Sequence, residues 1–413
     1  MQVLLKVKSN YMKQIYTLSS RHRKGFLFIL ALMLITTSAI AQTWTAKANV
    51  PSPRDASVTF TINNKVYLGG GAGNKDFWQY DPAADTWTKL ADIPGTTTAR
   101  GFAVGFAISG KGYIGLGADT GIYDVKRDLW QYDPDANTWT QMADLPAPSR
   151  DGAFSFVIGD KAYVGGGNDS AGYLYRDFYE YDPSSNTWTS KSLIPEYIIF
   201  PFAFSINGEG YISSGAVDTE VTNTYQYDPS TDMWTSKASF PGTPRQAGSA
   251  FVLNNIAYCG LGMSSYTTPY KDFYTYDPVA DTWTLLGNFA GPASAWTTAV
   301  TYNNTAYVGT GWDFGSSFFT DWYAFTVPTA VSQLSADNKQ IICYPNPSTG
   351  TIHVQTKANE SMVTLYNIIG EKVLSEKLPE DGNINASNLP SGQYLLELTN
   401  NMQSSKIAIT IAK

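Results

Sequence analysis

The chain has 413 residues, of which 43% are hydrophobic, 14% aromatic and only 15% charged, with 35 Gly and 27 Tyr. That length exceeds one small core, and the Gly- and Tyr-rich mixture suits many short strands and tight turns better than helices. A formal charge of −7 argues against a nucleic-acid partner, because a polyanion is held by an excess of Lys and Arg.

Residues 1–41 read as a secretory signal peptide. Lys13, Arg21, Arg23 and Lys24 precede the apolar run FLFILALML, and Ala39-Ile40-Ala41 supplies small residues before a cut at Gln42. The run is short for a membrane span, so no transmembrane segment is expected in the mature chain, and Met12 is an alternative start. Removing the leader's six Lys and Arg, with no Asp or Glu among them, takes the charge from −7 to −13. Cys259 and Cys343 then remain, in separate domains, and read as buried thiols rather than a disulfide.

From Gln42 onward one phrase repeats. Tyr-Asp-Pro occurs at Tyr80, Tyr132, Tyr181, Tyr227 and Tyr276, at spacings of 52, 49, 46 and 49 residues, and each is followed by a tryptophan: Trp87, Trp139, Trp188, Trp234, Trp283. Such periods suit propeller blades. Each unit reads as four strands: a hairpin such as SVTFTI/KVYLGG, then DFWQY and TWTKL. There are six hairpins, but the sixth unit stops at DWYAF, and the missing Trp strand stands at the front of the chain around Trp44. An open ring would expose strand edges, so the N-terminal strand is expected to complete blade six.

The phrase resembles the kelch repeat. The glycines after the second strand (Gly69-Gly70, Gly165-Gly166), the Tyr-Asp-Pro turn and the spaced Trp carry the likeness; Leu116, Ser214, Leu261 and Thr310 depart from the Gly-Gly pattern. The expected fold is all-β: a six-bladed kelch-type β-propeller over residues 42–328, closed by the N-terminal strand and followed by a small β-sandwich.

Residues 329–339 are small and polar and read as a linker. Residues 340–413 give a second set of alternating strands, IICYPNPSTGTIHVQT to KIAITIAK, and hence a β-sandwich. Tyr344-Pro345-Asn346-Pro347 with Gly350, Leu365-Tyr366-Asn367 with Gly370, Leu389-Pro390-Ser391-Gly392-Gln393-Tyr394 and Lys406 resemble the C-terminal sorting domain of the Bacteroidetes type IX secretion system. The resemblance implies engagement of that machinery and a secreted or cell-surface location.

The propeller contains no histidine: His22 lies in the leader and His353 in the tail. This excludes an imidazole-based nucleophile system and the histidine-ligated copper used by some kelch-type oxidases, and no Cys/His zinc spacing is present. No cofactor and no metal site is expected.

Antiparallel order places two kinds of loop at opposite ends of the ring. One end has minimal turns such as Asn63-Asn64 and Asn254-Asn255; the other has long, dissimilar, aromatic loops, 117–128, 167–177, 262–272 and 311–321. Binding residues usually sit in such loops. Tyr123, Tyr173, Tyr175, Tyr266, Tyr270, Trp312, Phe314 and Phe318 are candidates to stack on a sugar or anchor a peptide, the alternative being that they cover blade edges. Before the innermost strands come Arg54, Arg100, Arg150 and Arg245, with Glu196-Tyr197 in blade four and Trp296 in blade six. The resemblance to kelch propellers implies that these arginines sit near the mouth of the central channel, where they are expected either to hold an anionic ligand or to be neutralised by neighbours such as Asp55 and Asp151.

The expected function is a secreted or surface module that binds a glycan, anionic ligand or protein partner through the loop-rich end. The alternative is a sugar mutarotase similar to bacterial six-bladed N-acetylneuraminate epimerases, with Glu196 as proton donor and acceptor; that family's active-site sequence matches no stretch here. A purely structural surface protein is the third reading.

Overall fold

The computed structural model describes residues 43–71, 73–265, 267–315, 318–327, 342–344, 348–356, 361–367, 372–399 and 404–411. The leader, the linker, Pro345-Asn346-Pro347, Gly370 and Tyr266 lie outside the described residues. Two compact units are present: Gln42–Val327, and a second holding the C-terminal residues from Pro328 on. Among the described residues every regular element is a strand.

Blade one shows how each unit is built. Val58–Ile62, Lys65–Gly69, Phe77–Asp81 and Thr86–Lys89 form an antiparallel sheet in that order. The innermost strand alternates, burying Val58, Phe60 and Ile62, whereas the second strand is buried on both faces at Val66, Tyr67 and Leu68 because a neighbouring blade covers each side. Gly69 is required by that packing, since a Cβ there would lie 2.5 Å from the Phe77 ring.

The Tyr-Asp-Pro phrase joins neighbouring blades. In blade two, Asn137 sits at φ +53°, and its side-chain oxygen accepts from the Tyr132 hydroxyl (2.8 Å) and from the Ala91 amide of blade one (3.0 Å). The Trp139 indole donates to the Ala91 carbonyl at 3.0 Å. One residue of the preceding blade is therefore held by both its amide and its carbonyl. The pattern repeats at Asp85/Trp87, Asn186/Trp188, Asp232/Trp234 and Asp281/Trp283. Asp and Asn suit the position because they tolerate the left-handed backbone and supply the acceptor.

Blade six is made from both ends of the propeller. Thr43–Ala46 pairs antiparallel with Trp322–Thr326, placing Trp44 opposite Phe325. The Trp44 ring packs 4.7 Å from Phe325 and Phe289 and 5.5 Å from Phe273, a contact worth roughly 1.5–3 kcal/mol. Blade one docks on this strand, since Asp85 and Trp87 grip Ala48.

A second device closes the ring. Ala56, Phe102, Gly152, Phe200, Ala247 and Trp296 each take positive φ, between 49° and 63°. The amide of each donates to the carbonyl of its counterpart in the preceding blade, and Ala56 donates to Trp296, so a circle of backbone bonds surrounds the axis.

The tail unit pairs Ile342–Tyr344, Thr351–Gln355 and Asn383–Asn385 in one sheet. Met362–Tyr366, Lys372–Lys377, Gly392–Thr399 and Ser404–Ile411 form the other. Ile352, Val354, Val363, Leu365, Ile384, Leu396, Leu398 and Ile409 fill the space between them. Lys406 lies 3.3 Å from Glu397, which also accepts from the Tyr366 hydroxyl.

Candidate functional site

The four arginines do not line the channel mouth. Each is at most 1% exposed and makes a bidentate ion pair inside its own blade: Arg54 with Asp76, Arg100 with Asp128, Arg150 with Asp177, Arg245 with Asp272. Arg100 Nη1 lies 2.8 Å from Asp128 Oδ1 and Nη2 2.7 Å from Oδ2. Each Nη1 also donates to the carbonyl of the residue sixteen positions on: Gly70, Leu116, Gly166 or Leu261. The neutralising partners are thus the acids ahead of the third strand, not Asp55 and Asp151. A long side chain that reaches outward beneath the sheet finds those acceptors before it can turn to the axis. Burial pushes the Asp76 and Asp272 carboxyls up, but the guanidinium hydrogen bonds and charge outweigh that and hold both below the usual range.

Two candidate tyrosines cover these pairs. The Arg150 guanidinium lies 4.2 Å from the Tyr175 ring centre, and Arg245 lies 4.2 Å from that of Tyr270. Their hydroxyls are held by Asp169 and Ser264. Tyr123, Tyr173 and Tyr197 are exposed, and the Tyr123 hydroxyl reaches the buried Asp151 carboxyl of the next blade.

At the axis the residues are aromatic. Phe102, Phe200 and Trp296, from alternate blades, converge with ring centres 5.7, 5.6 and 6.4 Å apart. Blades one, three and five contribute Ala56, Gly152 and Ala247, which leave room for the three rings. Beneath them is a cavity of about 190 Å³, lined by Ser57, Thr59, Ser155, Ser249 and Thr298 among others. Trp296 continues sideways: it stacks on Trp312 at 6.0 Å and 14°, and Trp312 touches Phe314 at 4.6 Å and Phe318 at 6.0 Å. A single aromatic sheet therefore runs from the axis to the exposed edge of Phe318. Trp296 and Trp312 were legible as candidates; Phe102 and Phe200 were missed. The signal was the column two positions ahead of each innermost strand, read across all six blades.

Asp151 is 3% exposed, and burial, countered in part by the Tyr123 hydrogen bond, pushes its carboxyl up to about 6. Glu196 is further out than expected: in blade four Ile198 takes the arginine position, and Glu196 accepts from Asn223 Nδ2 at 3.0 Å. Burial raises the Glu196 carboxyl, against the Asn223 hydrogen bond and the Arg176 charge.

Blade six breaks the ion-pair pattern in the opposite way. Ser294 stands at the arginine position, while Asp321 keeps the acid, with both carboxylate oxygens buried and without a hydrogen-bond partner in any other described residue. Burial pushes it up to about 6 from 3.8. A carboxyl with a raised folded-state pKa contributes stability below 3.8 that is lost as pH rises through about 6. Asp321→Asn is expected to recover on the order of 2–3 kcal/mol above that window and nothing below it, measured by urea unfolding across pH. Equal stabilisation at all pH values would show that the carboxyl does not titrate in this way.

Comparison with known proteins agrees with this architecture. Residues 143–311 match the family described as KLHDC2/KLHL20/DRC7 Kelch-repeats domain, and residues 342–412 the secretion system C-terminal sorting domain. This is a kelch-repeat propeller with a type IX secretion tail. The kelch propeller is similar to N-acetylneuraminate epimerase 1 of Escherichia coli O6:H1, 30% identical over 149 residues, 35% of this chain and 38% of that protein. Kelch-like protein terF of Aspergillus terreus is 30% identical over 144 residues, 32% of this chain and 31% of that protein. The chain thus spans about a third of the curated relatives it matches. A solved structure titled "Structure of YjhT" superposes with a TM-score of 0.61 at 18% identity, covering 68% of this chain and 97% of that one, which establishes the fold alone. The sorting domain marks the kelch propeller as exported, to the cell surface or the medium, through interaction with the secretion machinery. Among the described residues no helix is long and apolar enough to cross a membrane.

Proposed function

We propose that the propeller is an exported carbohydrate-binding module whose site is the aromatic sheet at the loop-rich end of the axis. The observation that carries this reading is the continuity of Phe102, Phe200, Trp296, Trp312, Phe314 and Phe318 from the axis to an exposed edge. Sugars present apolar C–H faces that stack on such rings. The buried arginines play no part in it.

The test is a glycan array followed by titration of the best ligand. Trp312→Ala is expected to weaken binding about tenfold, the scale of one lost aromatic contact. Tyr175→Phe, which alters an arginine cover, is expected to leave binding unchanged. Unaltered affinity in Trp312→Ala would remove the reading.

A second reading, sugar mutarotation, is favoured by relatives named N-acetylneuraminate epimerase and by a carboxyl on this end held near 6, Asp151, where a general acid–base works at neutral pH. Proton NMR of N-acetylneuraminate anomer exchange tests it. Acceleration by the wild type that is lost in Asp151→Asn supports it; no acceleration rejects it.

A further inference from the structure

Four blades hold a guanidinium in the same socket: a bidentate Asp carboxylate ahead of the third strand, the backbone carbonyl after the second strand, and, in blades three and five, a tyrosine ring above. Blade six retains the acceptor positions of the socket and lacks the arginine. Asp321 stands where Asp76, Asp128, Asp177 and Asp272 stand, and Thr310 holds the chain position of Gly70, Leu116, Gly166 and Leu261 at φ +60°. Phe319 donates its amide to Gly311 as Tyr175 does to Gly167 and Tyr270 to Gly262, so an aromatic residue occupies the covering position. A glycine passes close to the acid in blades two and six, from different chain positions. A Cβ on Gly291 would come within 2.8 Å of Asp321 Oδ2, just as one on Gly95 would meet Asp128 Oδ2 and Arg100 Nη2.

In place of arginine is Ser294, whose hydroxyl lies 3.4 Å from the Pro292 carbonyl and does not reach the acid. A natural chain rarely keeps a carboxylate with both oxygens buried and unpartnered unless something else meets it.

We propose that blade six is a socket for an external cation, in which the Asp321 carboxylate and the Thr310 carbonyl, at the position covered by Phe319, take a guanidinium-type group from another molecule. The acceptor set is one carboxylate plus backbone carbonyl. It suits a singly charged, hydrogen-bond-donating planar cation rather than a divalent ion, which gathers several carboxylates. The raised carboxyl is consistent with this, since the acid has no internal positive partner.

The experiment is thermal unfolding of the full chain at neutral pH with millimolar methylguanidinium or N-acetylarginine amide, against matched sodium chloride and urea. Wild type is expected to rise in midpoint in a saturable manner. Asp321→Asn is expected to weaken the effect about tenfold or more. Ser294→Arg, which supplies the side chain internally, is expected to have a higher midpoint than wild type without any ligand and to gain nothing further from it. A response to both probes assigns the source to a peptide arginine, and a response to methylguanidinium alone to a free solute; either supports the socket. No saturable shift in wild type, or one of equal size in all three proteins, overturns it. The glycan titration is read separately, because Asp321 lies outside the aromatic sheet.

Discussion

Arg100→Ala is expected to destabilise the propeller by about 3–5 kcal/mol, the range for removing one partner of a buried ion pair. The Arg100 side chain is fully buried while the Asp128 side chain is 16% exposed, so the abandoned carboxylate can recover little hydration. The Leu116 carbonyl loses its donor in the same stroke, and the Trp130 indole, which donates to Asp128 at 2.6 Å, is left on an unbalanced charge. Calorimetry should show a midpoint lower by roughly 10 °C. Ligand affinity of the folded fraction should be unchanged, which separates this outcome from a binding role. A midpoint within a degree of wild type together with abolished glycan binding would return the arginine to the channel mouth. Replacing both members, Arg100→Met with Asp128→Leu, should cost much less than the single change, because no charge is then left behind.

Removal of residues 43–49 is expected to have the largest effect. Blade six would be left with Trp322–Thr326 as a bare edge, and Phe273, Phe289 and Phe325 would lose the Trp44 ring. Blade one would lose the Ala48 amide and carbonyl held by Asp85 and Trp87, so the break passes to both sides of the closure. The circle of backbone bonds through Ala56 and Trp296 remains, but it spans only the axial end. Exposed edges recruit further strands, so the truncated protein should elute as large aggregates in size-exclusion chromatography. A synthetic peptide of residues 43–49 added during refolding should restore a monomeric species by strand addition. A monomer with unaltered midpoint in the absence of the peptide would mean that the strand is an accessory and not the closing element.

Much of this could be read from residue order. Blade number, strand number and the displaced Trp strand follow from a repeat whose period is visible, because each blade buries the same faces and must use the same residue types to do so. The Tyr-Asp-Pro phrase and its tryptophan announce core positions, and the structure adds only that they grip the preceding blade at a single residue such as Ala48. The export address came from resemblance rather than from periodicity: Leu365-Tyr366, Tyr394 and Lys406 resemble a sorting-domain pattern, and residues 342–412 match the secretion system C-terminal sorting domain.

The direction of the arginines was not legible. Arg54, Arg100, Arg150 and Arg245 stand two residues from positions that meet at the axis, and chain position alone allows either course. What decides is the distance between a guanidinium and a carboxylate twenty-two to twenty-eight residues away, a separation set by how the second and third strands pair. Asp76, Asp128, Asp177 and Asp272 look like ordinary loop acids until the sheet brings them under the arginine. The aromatic closure has the same origin: Phe102, Phe200 and Trp296 are scattered over almost two hundred residues and become neighbours only because alternate blades of a six-fold ring face one another across a narrow axis. Local order thus dictates what each blade buries, since burial repeats with the strand period. Which charges pair, and which surface is left for a ligand, depends on contacts between blades that no single repeat contains.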